Sequence, residues 1–265
     1  MKAKICVLAA GILAAGMFQQ AGAQSTGAPS PRVSSSATPH SIYIGVKGGI
    51  SIPNLQSGSN GPEISNGYSS RQGPYFGVFG EFRFSREFSI QPEVNYSSQG
   101  GKKEGKQVIP EGTFPGQPAG MALYANFKSV AKLNYIEVPV LARFTFPLGG
   151  RFNFMVDAGP YVGFLVRAED VTSGTSNVYA DKEETQPVTP EAVNFDHTTD
   201  IKDQLHTANF GLQGGIGFSL NLEEGYLFIH GGGNYGLVDI QKSEKNGKNN
   251  TGAATAVIGY ALRVR

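Results

Sequence analysis

A chain of 265 residues with a formal net charge of +1 has no broad basic surface, so nucleic-acid binding is not expected. Its 36 Gly, 17 Phe and 11 Tyr, without a single Trp, suit strands and turns better than helices. The one cysteine, Cys6, lies in the N-terminal segment, so disulfide frameworks and thiol chemistry are excluded for a mature chain that lacks it.

Lys2 and Lys4 give a positive start, Ile5 to Met17 an apolar stretch, and Ala21-Gly22-Ala23 a small-residue cleavage site. This predicts a signal peptide over 1–23, with the mature chain starting near Gln24. The apolar stretch is shorter than the ~20 residues a spanning helix needs. Residues 24–40 are rich in Ser, Pro, Thr and Ala and read as a flexible leader.

From residue 41 to 265 the chain alternates apolar and polar residues in eight runs. The first, 41–52, sets Ile42, Ile44, Val46, Ile50 and Ile52 against Tyr43, Lys47 and Ser51. The second, 74–84, sets Phe76, Val78, Phe82 and Phe84 against Glu81 and Arg83. The third, 88–97, carries Glu93 opposite Ile90 and Val94, with Pro92 an awkward member because it lacks a ladder donor. The fourth, 133–146, has Ile136, Val138, Val140, Ala142, Phe144 and Phe146 opposite Glu137 and Arg143. The fifth, 151–167, sets Phe152, Phe154, Val156, Val162, Phe164 and Val166 against Asn153, Asp157, Tyr161 and Arg167. The sixth (206–220), seventh (226–238) and eighth (252–265) continue with Phe210, Ile216, Ile229 and Ile258 on the apolar side.

Connections one, three, five and seven are long, roughly 21, 34, 37 and 12 residues; the others are short turns. In an up-and-down sheet successive connections fall at opposite ends, so every long one shares an end. Runs of roughly 10 to 17 residues reach the ~9 to 11 that cross a bilayer at a tilt. Their apolar faces lack Asp, Glu, Lys and Arg, as lipid contact demands. The expected fold is therefore all-β: an eight-stranded antiparallel up-and-down transmembrane β-barrel with long extracellular loops, in an outer membrane. Lys47, Glu81, Arg83, Glu93, Glu137, Arg143, Asp157 and Arg167 then point into a lumen too narrow for an open pore and form a structural charge network. Glycines on the same side, Gly45, Gly49, Gly211, Gly215, Gly217, Gly232 and Gly236, are expected to leave room for these long side chains.

The residues also resemble the PorT-type outer-membrane β-barrel family of Bacteroidota, with the outer membrane protein beta-barrel domain. The carrying motifs are Gly45-Val46-Lys47-Gly48-Gly49, the stretch Ser89 to Ser97 (SIQPEVNYS), and Leu133 to Leu141 (LNYIEVPVL). Ala158-Gly159-Pro160-Tyr161, the Gly-rich sixth run, and Asn234 to Leu237 with Asp239-Ile240 add to it. The resemblance covers about 41 to 265 and implies no catalysis, no cofactor, and in some relatives a part in protein secretion. Barrels of this kind tend to end on an aromatic residue, whereas this chain ends Arg263-Val264-Arg265.

Expected partners are outer-membrane lipid, the barrel assembly machinery, and an envelope or extracellular protein met through loops 98–131 and 168–204. Three other readings compete. A narrow channel would use the inner charges as a solute path. A soluble lipocalin-like binder would turn the apolar face inward. A rim-site lipid enzyme would use Asp196-His197 beside a loop hydroxyl. His40, His197, His206 and His230 lack metal-ligand spacing, and Glu183-Glu184, Asp196, Asp200 and Asp203 fit no calcium loop.

Overall fold

The computed structural model describes residues 41–57, 67–109, 114, 116–118, 120–243 and 248–265. The segments read as signal peptide and leader, with His40, lie outside them. Eight long strands dominate: β1 Ile42–Pro53, β2 Gly73–Arg83, β3 Phe88–Ile109, β4 Leu123–Gly149, β5 Phe152–Ser173, β6 Ala208–Asn221, β7 Gly225–Gly236 and β8 Gly252–Arg263. Each pairs antiparallel with the next. β8 returns to β1, with register from Tyr43↔Arg263 to Pro53↔Ala253. The hydrogen-bonded ring is thus continuous, so none of the eight strands is left with an unpaired edge along its common length. The short turns 84–87, 150–151 and 222–224 lie at one end, together with the start of β1 and the end of β8.

The alternation sorts as its chemistry requires, with apolar side chains outward. Ile44, Val46, Phe76, Val78, Val140, Phe144, Phe210, Ile216, Ile229 and Ile258 are all exposed on the outer face. A lipocalin-like arrangement would bury this face, so that reading is corrected. An apolar belt running right around a ring is far larger than the patches soluble monomers expose.

The inner face is buried and mixed. Tyr43, Tyr75, Phe79, Met155, Tyr226, Phe228, Val257 and Ala261 pack together towards the short-turn end. Two glycines make this possible by close approach. A Cβ at Gly45 would run into the Phe79 ring, and one at Gly259 into the Phe228 ring. The inner glycines expected to make room for long charged chains instead lie against rings, amides and strand backbone, with Gly45 under Phe79, Gly211 under Tyr161 and Gly215 under His230.

β3, β4 and β5 run well past their predicted ends, to 22, 27 and 22 residues. The segment read as loop 98–131 is in large part wall, and residues 168–173 and 197–200 of the segment read as loop 168–204 add to it. Gln99↔Leu133 to Ile109↔Leu123 is an unbroken ladder, and His197–Asp200 adds a strand beside β5. The hydrophobic signal fades there because the outer face bears Lys102, Glu104 and Lys106 in place of apolar residues. The strand period persists, and Lys128 reaches Glu104 across the ladder at 3.2 Å.

The β4–β5 ladder slips at the turn, between Pro147↔Asn153 and Gly149↔Phe152, and again within the wall, between Asn134↔Arg167 and Tyr135↔Leu165. Val166 is the extra residue of this bulge, and it inverts the phase of all that follows on β5. Pro92, flagged from sequence, is held where the ladder lapses: pairing passes from Phe79↔Glu93 to Phe82↔Ile90.

Candidate functional site

The inner wall builds its polar site from alternate residues on six strands. Nearest the short turns, Glu81 of β2 accepts from Arg83 Nε at 3.0 Å, Ser89 Oγ at 2.8 Å and the Tyr226 hydroxyl at 2.5 Å. The Arg83 guanidinium lies 4.4 Å from the Tyr43 ring centre and 5.3 Å from that of Tyr226. Such flanking rings suit a delocalised cation. Beside them Arg143 of β4 grips Asp157 of β5, donating from Nη2 at 2.8 Å and Nε at 3.1 Å. His230 Nε2 sits 3.1 Å from the other Asp157 oxygen.

A second tier follows. Lys47 of β1 donates to Glu93 at 2.6 Å, and Gln91 and Asn95 donate to the same carboxylate at 2.6 and 2.7 Å. Glu137 receives Asn234 Nδ2 at 3.0 Å and Gln99 Nε2 at 3.1 Å, both neutral donors. The Tyr226–Glu81 and Gln99–Asn234 bonds tie strands that lie 145 and 135 residues apart in the chain. Groups on distant walls are thus joined directly through the interior.

Seven of the eight charged residues picked from sequence are buried in this network. Arg167 is not. It stands on the outer face with its side chain 65% exposed, paired to Glu169 at 2.6 Å. The Val166 bulge puts it there. Buried pairs of this kind add little net stability, yet breaking one leaves a charge stranded at a cost of about 3–5 kcal/mol.

Tyr226 and Gln99 escaped the sequence reading, although the signal was present: Tyr226 is in step with His230 and Asn234, and Gln99 with Glu93.

At the outer end Leu55, Leu133, Tyr135, Leu165, Leu205 and Ile240 form an apolar layer. Beyond it opens a chamber of about 970 Å³ whose lining includes Tyr68, Lys103, Phe127, Asp170, Phe195 and His197. Phe127 and Phe195 stack at 4.9 Å. Lys103 Nζ lies 4.3 Å from the Tyr68 ring centre. Burial pushes the Lys103 ammonium down to about 8. Burial, with the Asp170 charge adding, pushes the Tyr68 phenol up to about 12.

The acidic loop residues act as turn staples. The Asp181 carboxylate accepts the Thr185 and Gln186 N–H groups, which hold its pKa below the usual carboxylate range, Thr185 contributing most. Asp196 accepts from Gly174 N–H at 2.9 Å. Among the described residues no group of three or more His, Cys, Asp or Glu gathers as a metal site would. His197 begins the short strand beside β5 and His206 follows it just ahead of β6, and among the described residues no hydrogen bond links the His197 ring to a hydroxyl.

Residues 22–242 match the outer membrane protein beta-barrel domain family. No curated protein matches the chain. Among solved structures, Neisserial surface protein A is 11% identical, with 84% of this chain and 96% of that one covered and a TM-score of 0.41. OprG from Pseudomonas aeruginosa is 11% identical, covering 86% and 97%, with a TM-score of 0.39. Ail, the attachment invasion locus protein of Yersinia pestis, is 12% identical, covering 85% and 100%, with a TM-score of 0.36.

Proposed function

The chain belongs to the outer membrane protein beta-barrel domain family and is an outer-membrane protein, and on that premise we propose that it is a closed, side-chain-filled transmembrane barrel with a structural and interaction role. The long-connection end faces outward, and the raised wall of β3–β5 with its chamber is the surface that meets an envelope or extracellular partner. Export uses the 1–23 peptide, and the PorT-type resemblance places a link to surface secretion within the same proposal.

The observation that carries this reading is the cross-linked interior. Glu81, Arg83, Arg143, Asp157, Lys47, Glu93 and Glu137 are all held by neighbours in the same space a solute would need. Planar-bilayer recording of the refolded protein should give no steps above background. Reproducible single-channel steps would sink the filled-lumen reading in favour of the narrow channel. For the partner, a photo-crosslinking residue at Asn126 or Lys128 on the outer wall should trap a discrete protein adduct in intact cells. The same group at Val140 in the apolar belt should trap lipid only. Mass analysis of the purified protein should place its first residue at Gln24.

A further inference from the structure

The outer face changes character along one line. Tyr96, Ile136 and Phe164 are the last members of the apolar belt on β3, β4 and β5, and they are partners in register. Phe76 of β2 stacks on Tyr96 at 4.9 Å. One step outward along the same strands stand Ser98, Asn134 and Arg167, again partners in register.

Arg71, just ahead of β2, completes this row. Its Nη2 donates to Ser98 Oγ at 2.6 Å and to the Gln99 carbonyl at 2.7 Å, and its Nε donates to that carbonyl at 3.2 Å. Nη1 makes a longer contact of 3.4 Å to the Gln72 carbonyl. Ser98 in turn donates to the Asn134 amide oxygen at 3.2 Å. Lys132 lies on the same face of β4, in register between Gly100 and Glu169. Lys202 Nζ donates to the Val166 carbonyl at 3.2 Å.

Four cations therefore border one short arc of the belt. The anions among them are Glu169, which Arg167 holds, and Asp200, its partner in register. Among the described residues no ion pair engages Arg71 or Lys132. Arg71 is the telling member. An arginine that merely escapes the hydrocarbon leaves its head free in water. Here neutral oxygens occupy Nε and Nη2 and fix the guanidinium plane, leaving its charge uncompensated and one Nη1 N–H for an oxyanion. With strands about 4.8 Å apart, the row from Ser98 to Arg167 spans about 10 Å, the width of a headgroup rather than of a single ion.

We propose that the Arg71–Ser98–Asn134–Arg167 row, with Lys132 and Lys202, binds the phosphate of an outer-leaflet lipid headgroup. The leaflet, though not the phosphate site, rests on the orientation given above. Basic groups at a membrane surface are each worth about 1 kcal/mol towards anionic headgroups, a factor of about five.

The test is native mass spectrometry of the detergent-purified, full-length protein with three probes: diphosphorylated lipid A, its dephosphorylated form, and inorganic phosphate alone. Wild type should retain the phosphorylated lipid at least tenfold better than the dephosphorylated one. Lys132→Gln, which leaves the Arg71 hydrogen bonds intact, should cut that retention about fivefold, and Arg71→Gln with Lys132→Gln about 25-fold. Heat-modifiable gel migration identifies the folded fraction of each variant.

Equal retention of the two lipids, or of wild type and a folded double variant, overturns the phosphate site. Displacement of the lipid by millimolar inorganic phosphate reduces it to an ion site and overturns the headgroup assignment. Maleimide labelling of Glu183→Cys on intact cells reads the orientation separately. No labelling there moves the row to the inner leaflet while the lipid arm keeps its meaning.

Discussion

β4 is one continuous strand in two solvents, and its halves differ on both faces. Between Phe146 and Ile136 the outward residues are apolar and the inward ones include the buried charges of Arg143 and Glu137. Between Asn134 and Tyr124 the outward residues include Lys132 and Lys128, while the inward ones are Leu133, Ala131 and Ala125. The ladder to β3 runs through both halves. The inversion therefore comes not from strand propensity but from what lies outside. Where lipid surrounds the ring, β4 turns two charges inward; beyond the belt it turns none.

The sharpest way to break this comparison is to strand a charge in the lower half. Arg143→Met leaves the buried Asp157 with only His230 and should cost about 3–5 kcal/mol, read by urea titration of heat-modifiable migration. Lys128→Met, which removes the partly exposed pair to Glu104, should cost less than about 1 kcal/mol.

Next in size is a charge on the outward face. Val140→Arg should cost about 2–4 kcal/mol in bilayers. Val130→Arg, ten residues earlier on the same face of the same strand, should stay within about 0.5 kcal/mol. Equal penalties would show that the belt does not end near Asn134.

Tyr226→Phe takes one of three donors from Glu81 and should cost about 1–3 kcal/mol by the same titration. The smallest effect belongs to the upper half. Lys103 is displaced downward to about 8 from its ordinary 10.5. Below about pH 8 folded and unfolded chains both carry its proton. Above it the unfolded chain binds the extra proton, so local stability should rise from about pH 8 to 10.5. Hydrogen exchange of the 101–109 amides, corrected for intrinsic rates, should show protection growing over that window. In Lys103→Met it should stay flat.

The same contrast explains what could be read from the chain. The eight runs were visible because lipid imposes a strict apolar rule on one face, and Ile136 to Phe146 obeys it without exception. Residues 99–109 kept their strand period but lost that rule, so Lys102, Glu104 and Lys106 read as loop. Inner residues could be assigned by parity, but pairing could not: Arg143 meets Asp157, and Lys47 meets Glu93, through the stagger of strands, which no single run encodes. Arg167 was misplaced by one residue's worth of phase. Nothing in Leu165-Val166-Arg167 marks a bulge, since all three fit an outward or an inward strand until the register to Asn134 is known.

The slip at Val166 works as a clutch. Below it, inserting or deleting one residue in β5 would turn its apolar belt into the lumen and its Asp157 into lipid. Above it, the phase is already uncoupled, and the wall beyond can lengthen, shorten or change sequence while the part in the membrane keeps its frame. The portion of the wall beyond the belt is thereby free to vary, and the portion within it is not.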